Sequence, residues 1–380
     1  MVSIIALTCL GAAGYLAWDE YRGEGQKLRD LWRAGGLYNR DGTMPTLREK
    51  KQMKYGHCLR LSLPPGLSTE DFERRQAAIE QNFGHTIKIK YKNKNMLIEV
   101  YEQDLISHPF ELIELKGMKL VMGHTYGARV VSIDLDREPH LMIAGETGSG
   151  KSTALRSILT TLFLTKPKVK IHLLDLKKGT ELSMFAKCKN VVSLAKDVNQ
   201  AAAVLNKVYR EVERRYDLFA ETEVVDINEY NKKHKPVLNR EIIAIDEFSL
   251  LRKHKNAADT MEDLATLSRA CGIHLIISTQ RPDALIINGR IKANIPAVLG
   301  LKTKNDVNSR IIIDEGGLQT LKGRGHGWLR YMGEFTELHT MNLQPEEARN
   351  LLKPIYRENP EILKPTDTSG EVADFVFLGE

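Results

Sequence analysis

The chain has 380 residues, of which 42% are hydrophobic and 27% charged, and it carries a formal net charge of +6. That length holds one large domain or two of ordinary size, and the apolar share is enough for a sizeable core. Four scattered cysteines, Cys9, Cys58, Cys188 and Cys271, make no C-x-x-C pair, which argues against a disulfide framework or a cysteine zinc site and fits a reducing compartment. Residues 2–18 contain no charged side chain, and as a helix they would span about 25 Å, the short end of a membrane crossing. Tyr15 and Trp18 would sit at an interface. Arg22, Lys27, Arg29 and Arg33 follow, which orients the rest of the chain toward the cytoplasm by the positive-inside rule. A cleaved signal peptide would need a basic leader that is absent here. A single-pass anchor in the cell membrane is the expectation; a helix buried against a partner is the alternative.

Residues 19–54 are polar and basic, with breaks at Gly35, Gly36 and Gly42, and read as a juxtamembrane linker. Its cluster LREKKQMK (47–54) suits anionic headgroups, DNA or simply solvent. Residues 55–117 read as a small α+β accessory domain of order β-α-β-β. A strand begins at Cys58, Ser68 caps a helix that carries Glu70 and Asp71 in its first turn, and a hairpin turns through Lys92-Asn93-Lys94-Asn95. Residues 118–137 read as a β-rich lead-in with a turn at Gly127. Apolar runs then recur at 140–144, 169–174, 242–245, 273–278, 298–301 and 338–341, mostly with helical segments between them. This alternation predicts a mainly parallel sheet covered by helices on both faces over 118–343. The longest helix, 197–219, has a sustained apolar face suited to packing, and residues 344–380 form a tail.

Between the first of these strands and a helix from Ser152 lies Gly145-Glu146-Thr147-Gly148-Ser149-Gly150-Lys151-Ser152-Thr153. Residues 145–152 fit G-x-x-x-x-G-K-[ST], the phosphate-binding P-loop, in its strand–loop–helix context. Its glycines let backbone N–H groups surround a triphosphate, Lys151 reaches the β- and γ-phosphates, and the Ser152 hydroxyl ligates Mg²⁺. ATP and Mg²⁺ are therefore the expected cofactors. The run IIAIDE (242–247) is an apolar strand ending in two carboxylates: Asp246 fits the magnesium shell and Glu247 the base that polarises water. A third strand ends at Gln280, whose amide does not titrate but can orient water or sense the γ-phosphate; an ordinary strand cap is the plain alternative.

Six blocks in order resemble the FtsK/SpoIIIE group of DNA translocases: PHLMIAGETGSGKST (139–153), LDLKKGTEL (174–182), IIAIDEFSLL (242–251), GIHLIISTQRP (272–282), IKANIPAVLGLKTKNDVNSRIIIDEGG (291–317) and LKGRGHGWL (321–329). The resemblance implies a RecA-like P-loop NTPase that assembles as a homo-hexameric ring, hydrolyses ATP between subunits and moves duplex DNA without reading its sequence. It implies an arginine supplied by a neighbour, with Arg310 first and Arg281 and Arg324 as rivals. Lys292, Lys302 and Lys304 flank the blocks where phosphate contacts would fall. Long members of the group carry several membrane spans and a C-terminal DNA-reading domain, for which the tail here is too short. The compact layout resembles coupling ATPases of conjugative elements, with a DNA-transfer channel or relaxosome as partner. A type VII-secretion-like export ATPase, a nucleotide-binding anchor and a septal partitioning translocase are the alternatives. No LSGGQ-like signature lies between Ser152 and Asp246, which argues against an ABC-type domain.

Overall fold

The computed structural model describes residues 25–177, 179, 181–280, 287 and 289–358. The apolar segment 2–18, Arg281 and the end of the tail lie outside the described residues. Among the described residues no helix is long and apolar enough to cross a membrane. The chain divides into two units, Met1–Leu105 and Ile106–Glu380.

The first unit contains helix α1 (25–34), strands β1 (Thr46–Met53) and β2 (Gly56–Ser62), helices α2 (Thr69–Glu73) and α3 (Gln76–Phe83), and strands β3 (Thr86–Lys92) and β4 (Asn95–Tyr101). The strands form an antiparallel sheet of order β1-β2-β4-β3. Period-two alternation sends Leu59, Leu61, Met96, Ile98 and Val100 to one face, where they meet Phe72 and Ile79. Ser68 donates from both its amide and its hydroxyl to Asp71 Oδ2, at 2.9 and 3.0 Å, which fixes the entry to α2. Asn93 and Lys94 both have positive φ, as a two-residue hairpin turn requires. The stretch expected as a linker behaves otherwise. Residues 25–34 are helical, β1 is an edge strand, and Leu28, Trp32 and Leu37 are buried in the core. Leu28 and Trp32 are one helical turn apart, an apolar pairing that the surrounding basic residues mask in the sequence.

The second unit is a three-layer α/β structure. Its strands are β5 (Lys119–Thr125), β6 (Arg129–Asp134), β7 (Leu141–Ala144), β8 (Lys170–Asp175), β9 (Val191–Ala195), β10 (Glu241–Asp246), β11 (Ile273–Thr279), β12 (Ala297–Leu301), β13 (His326–Tyr331) and β14 (Glu334–His339). Its helices are α4 (Lys151–Thr165), α5 (Val198–Glu221), α6 (Ile227–Lys233), α7 (Lys255–Leu267), α8 (Gly289–Asn294), α9 (Asp306–Ile313) and α10 (Pro345–Leu352). The sheet order is β6-β5-β14-β13-β12-β7-β11-β10-β8-β9. From β12 to β9 all neighbours are parallel. These central strands are covered on both faces, which is why they read as unbroken apolar runs. One face packs against α5 and α7 through Val204, Val208, Met261 and Leu264; the other packs against α4 through Leu155, Ile158, Leu159 and Leu162.

The expected mainly parallel sheet is therefore mixed. Its remaining four strands are antiparallel, because β13 and β14 are joined by a two-residue turn, Met332-Gly333, with positive φ at both positions. The long helix α5 also buries a charge. Arg215, 1% exposed, donates to Glu241 Oε1 and Glu211 Oε1 and to the Cys271 carbonyl, each at 2.7 Å.

Trp32 is fully buried and sits edge-on to Phe72, ring centroids 5.2 Å apart. Trp32→Ala should therefore destabilise the first unit by about 3–5 kcal/mol, read as a lowered urea midpoint. A variant as stable as the parent would return residues 25–34 to the status of a linker.

Candidate active site

Parallel register brings the chemistry together at the carboxyl ends of the central strands. Asp246 at the end of β10 lies opposite Asp175 of β8; on β11, Ser278 and Thr279 lie opposite Ile143 and Ala144 of β7. The chain leaving β7 is the glycine-rich loop, which passes directly into α4. Gly148 and Gly150 have φ of +82° and +101°, backbone that L side chains avoid. Gly150 is also pressed against a neighbour, since a Cβ built there would lie 2.2 Å from the Gly325 nitrogen. The loop is pinned from three sides. Gly145 N–H donates to the Thr279 carbonyl at 3.3 Å, Glu146 N–H to the Lys302 carbonyl at 3.0 Å, and Gly325 N–H to the Ser149 carbonyl at 2.7 Å.

Lys151 opens α4 and is 3% exposed. Its Nζ lies 2.7 Å from Asp246 Oδ1 and donates to Ser278 Oγ at 3.0 Å, while Ser278 Oγ donates to the same carboxylate oxygen at 2.6 Å. Burial on its own would raise the Asp246 carboxyl; the Lys151 ammonium and the bonds from Lys151 and Ser278 outweigh it and hold the group below its ordinary value. Asp246 Oδ2 is buried and accepts no hydrogen bond. An orphaned carboxylate oxygen beside a glycine cradle suits a divalent cation. Asp246 and the Ser152 hydroxyl are hard oxygen donors of the kind magnesium takes, and they are the residues that would hold it.

Glu247 stands next along the chain with φ 58° and ψ 58°. Its Oε1 accepts from Ser249 Oγ at 2.7 Å and Thr279 Oγ1 at 3.1 Å, and its Oε2 lies 3.0 Å from Lys177 Nζ. Burial would raise this carboxyl too, but the bonds from Ser249, Lys177 and the Gln280 amide, with the Lys177 charge, keep it lowered and therefore anionic at neutral pH. Gln280 reaches toward the loop, its Oε1 3.5 Å from Thr147 Oγ1.

A cavity of about 600 Å³ is lined by Glu146, Gly148, Gly150, Lys151, Ser152, Thr153 and Gln280, with Ser107, Arg324, His339, Asn342 and Gln344 completing the wall. That volume suits a nucleotide-sized ligand. Arg310 does not line it. It lies on α9, exposed, with Nε 2.8 Å from Asp306 Oδ2. Arg324 is part of the wall, and Lys292 is paired with Asp314 at 2.6 Å. Lys302 serves through its carbonyl, and Lys304 is exposed. Sequence reasoning passed over Lys177, Ser278 and Gly325. All three lie within the six blocks, but the sequence does not display the parallel register that delivers Lys177 to Glu247 and Ser278 to Asp246, nor the approach of Gly325 to the P-loop.

The comparisons with known proteins agree with the resemblance read from the six blocks. The model of the FtsK/SpoIIIE family matches residues 114–245. "DNA translocase FtsK" of Listeria monocytogenes serovar 1/2a is 32% identical over 319 residues, covering 77% of this chain and 41% of that protein. "DNA translocase SpoIIIE" of Bacillus subtilis strain 168 is 31% identical over 280 residues, covering 67% of this chain and 36% of its own length. The chain thus spans less than half the length of these curated relatives. Among solved structures, the pCW3 conjugation coupling protein TcpA, determined in monomer form with ATPγS, shares the fold with a TM-score of 0.62 at 24% identity, covering 87% of this chain and 99% of that one. The cytoplasmic domain of the Thermomonospora curvata type VII secretion ATPase EccC shares it at 0.57 and 19% identity, covering 68% of this chain and 35% of that one.

Gly150→Ala places a methyl group into the Gly325 backbone at a left-handed position. It should weaken nucleotide binding by more than about tenfold, measured by titration of a fluorescent ATP analogue. Unchanged affinity would mean that this loop does not cradle the phosphates.

Proposed function

With an FtsK/SpoIIIE-family domain at residues 114–245, we propose that this chain is an ATPase that moves duplex DNA, working as a membrane-anchored homo-hexameric ring in the transfer of a conjugative or mobile element. The observation that carries the reading is the strand-end constellation in which Lys151, Asp246 and Ser278 share buried hydrogen bonds with Glu247 alongside. Homology to proteins described as DNA translocases supports the substrate. The likeness in fold to a conjugation coupling protein supports the setting in a conjugative or mobile element. The uncharged stretch 2–18 supports the anchor, with the motor in the cytoplasm.

In this reading the loop at 145–153 and Lys151 grip the triphosphate. Ser152 and Asp246 would hold Mg²⁺, which would supply positive charge against the triphosphate. Gln280 orients a water molecule, and Glu247 takes its proton as the water oxygen bonds to the γ-phosphorus and the bridge to ADP breaks. Arg310 of an adjoining subunit is the candidate to offset the charge that develops, because it is exposed outside its own cavity and its one ion pair, with Asp306, is itself open to water and weakly held. DNA is gripped through phosphates, so its effect should fade with salt.

The test is the ATPase rate of purified protein with and without linear duplex DNA across a salt series. Stimulation that declines as salt rises is expected; indifference to DNA together with stimulation by an exported protein would replace this reading with a protein-secretion ATPase. Glu247→Gln should keep nucleotide affinity while kcat falls by about 10²–10⁴. Normal turnover in that variant would remove Glu247 from its role.

A further inference from the structure

Glu247 is held by more donors than a water-activating carboxylate can keep. Oε1 accepts from Ser249 Oγ at 2.7 Å, Thr279 Oγ1 at 3.1 Å and the Gln280 amide at 3.2 Å; Oε2 has Lys177 Nζ at 3.0 Å and the Gln280 amide again at 3.3 Å. A carboxylate offers about four acceptor sites. These contacts occupy both oxygens, so the attacking water finds no lone pair to receive its proton. Three of the donors belong to the turn after Glu247 or to the end of β11, and they move with the site. Lys177 is different. It arrives from β8, whose parallel register sets Asp175 opposite Asp246 and carries the next residues toward Glu247. It is the one charged donor of the four, and its side chain remains 30% exposed. An ammonium on a flexible stem exchanges partners easily, and phosphate oxygens compete well for it.

We propose that Lys177 is a removable restraint on Glu247: a phosphate group arriving beside it draws the ammonium off, frees a lone pair on Oε2 and leaves the carboxylate able to accept a proton from water. Lys177 is thus a positioning residue that sets the resting rate. This deepens the function proposed above and rests on Glu247 being the base. The competing phosphate has two sources, the γ-phosphate of bound ATP or the backbone of DNA.

Steady-state ATPase kinetics of the full chain separate them, using Lys177→Met and Lys177→Arg with and without linear duplex DNA. Lys177→Met should raise the DNA-free kcat by about threefold or more while KM for ATP stays within about twofold, and Lys177→Arg should stay near wild type, because a guanidinium restores the pairing. Adding Glu247→Gln to Lys177→Met should erase the gain. If DNA no longer stimulates Lys177→Met, the DNA backbone is the natural competitor; if DNA stimulates it by the wild-type factor, the γ-phosphate is, and it draws the ammonium off in only a fraction of the ATP-bound molecules, which is why removing Lys177 still raises kcat. A DNA-free kcat at or below wild type in a variant with an unchanged melting temperature overturns the proposal, as does a gain that persists without Glu247. Should Lys177→Met fold poorly, Lys177→Ala gives the same readout, since it too carries no donor that reaches Oε2. Failure of the DNA-motor reading shows itself separately, as absence of DNA stimulation in the wild type, while the restraint is still read from DNA-free rates.

Discussion

The ion pair between Lys151 and Asp246 is the contact on which the site depends. Both groups are almost wholly withdrawn from water, and they are 2.7 Å apart. Removing either partner would leave the other as a buried unpaired charge, a loss of about 3–5 kcal/mol. Each therefore stabilises the other until something better arrives. A triphosphate offers Lys151 new oxygens, and a cation offers Asp246 a new counter-charge. Ligand binding in the proposed function is then an exchange of partners within a site already built, with Ser278 holding the carboxylate in place throughout.

The rest of the second unit fixes that geometry. The parallel half of the sheet supplies strand ends in register, so that β7, β8, β10 and β11 present their chemistry at one edge. The antiparallel half supplies a wall: the segment before β13 reaches over the P-loop, where Gly325 touches Gly150 so closely that neither the loop nor the wall has room for a side chain at position 150. Position 325 is equally constrained, since a Cβ there would lie 2.3 Å from Thr340 Oγ1. Two glycines on different elements thus hold the nucleotide loop against the far side of its own cavity.

Much of this was legible in the chain. The loop at 145–153 and the strand ends at Asp246 and Gln280 announce themselves, because their spacing reflects backbone needs that few other sequences satisfy. Fully buried parallel strands are legible for the same reason, as apolar runs. The illegible parts depend on partners distant in sequence. Nothing local marks Lys177 as the companion of Glu247, or Arg215 as a buried cation in the middle of α5. Of the antiparallel strands, β5 and β6 are legible as the β-rich lead-in and the end of β14 as an apolar run, whereas β13 carries too short an apolar stretch to stand out, and residues 25–34 hide an apolar pair among charges. Composition describes a segment's average, whereas burial is decided by two or three side chains.

The order of strands has a consequence for how the molecule comes into being. β7, which launches the P-loop, is flanked in the sheet by β11 and β12, both synthesised long after it. While a ribosome is still making the chain, the strand that ends at the glycine loop has neither neighbour, and Glu146 lacks the Lys302 carbonyl that anchors it. An unfinished polypeptide therefore cannot frame a nucleotide pocket, and a prematurely ended one yields a protein without a functioning cradle rather than an uncontrolled consumer of fuel.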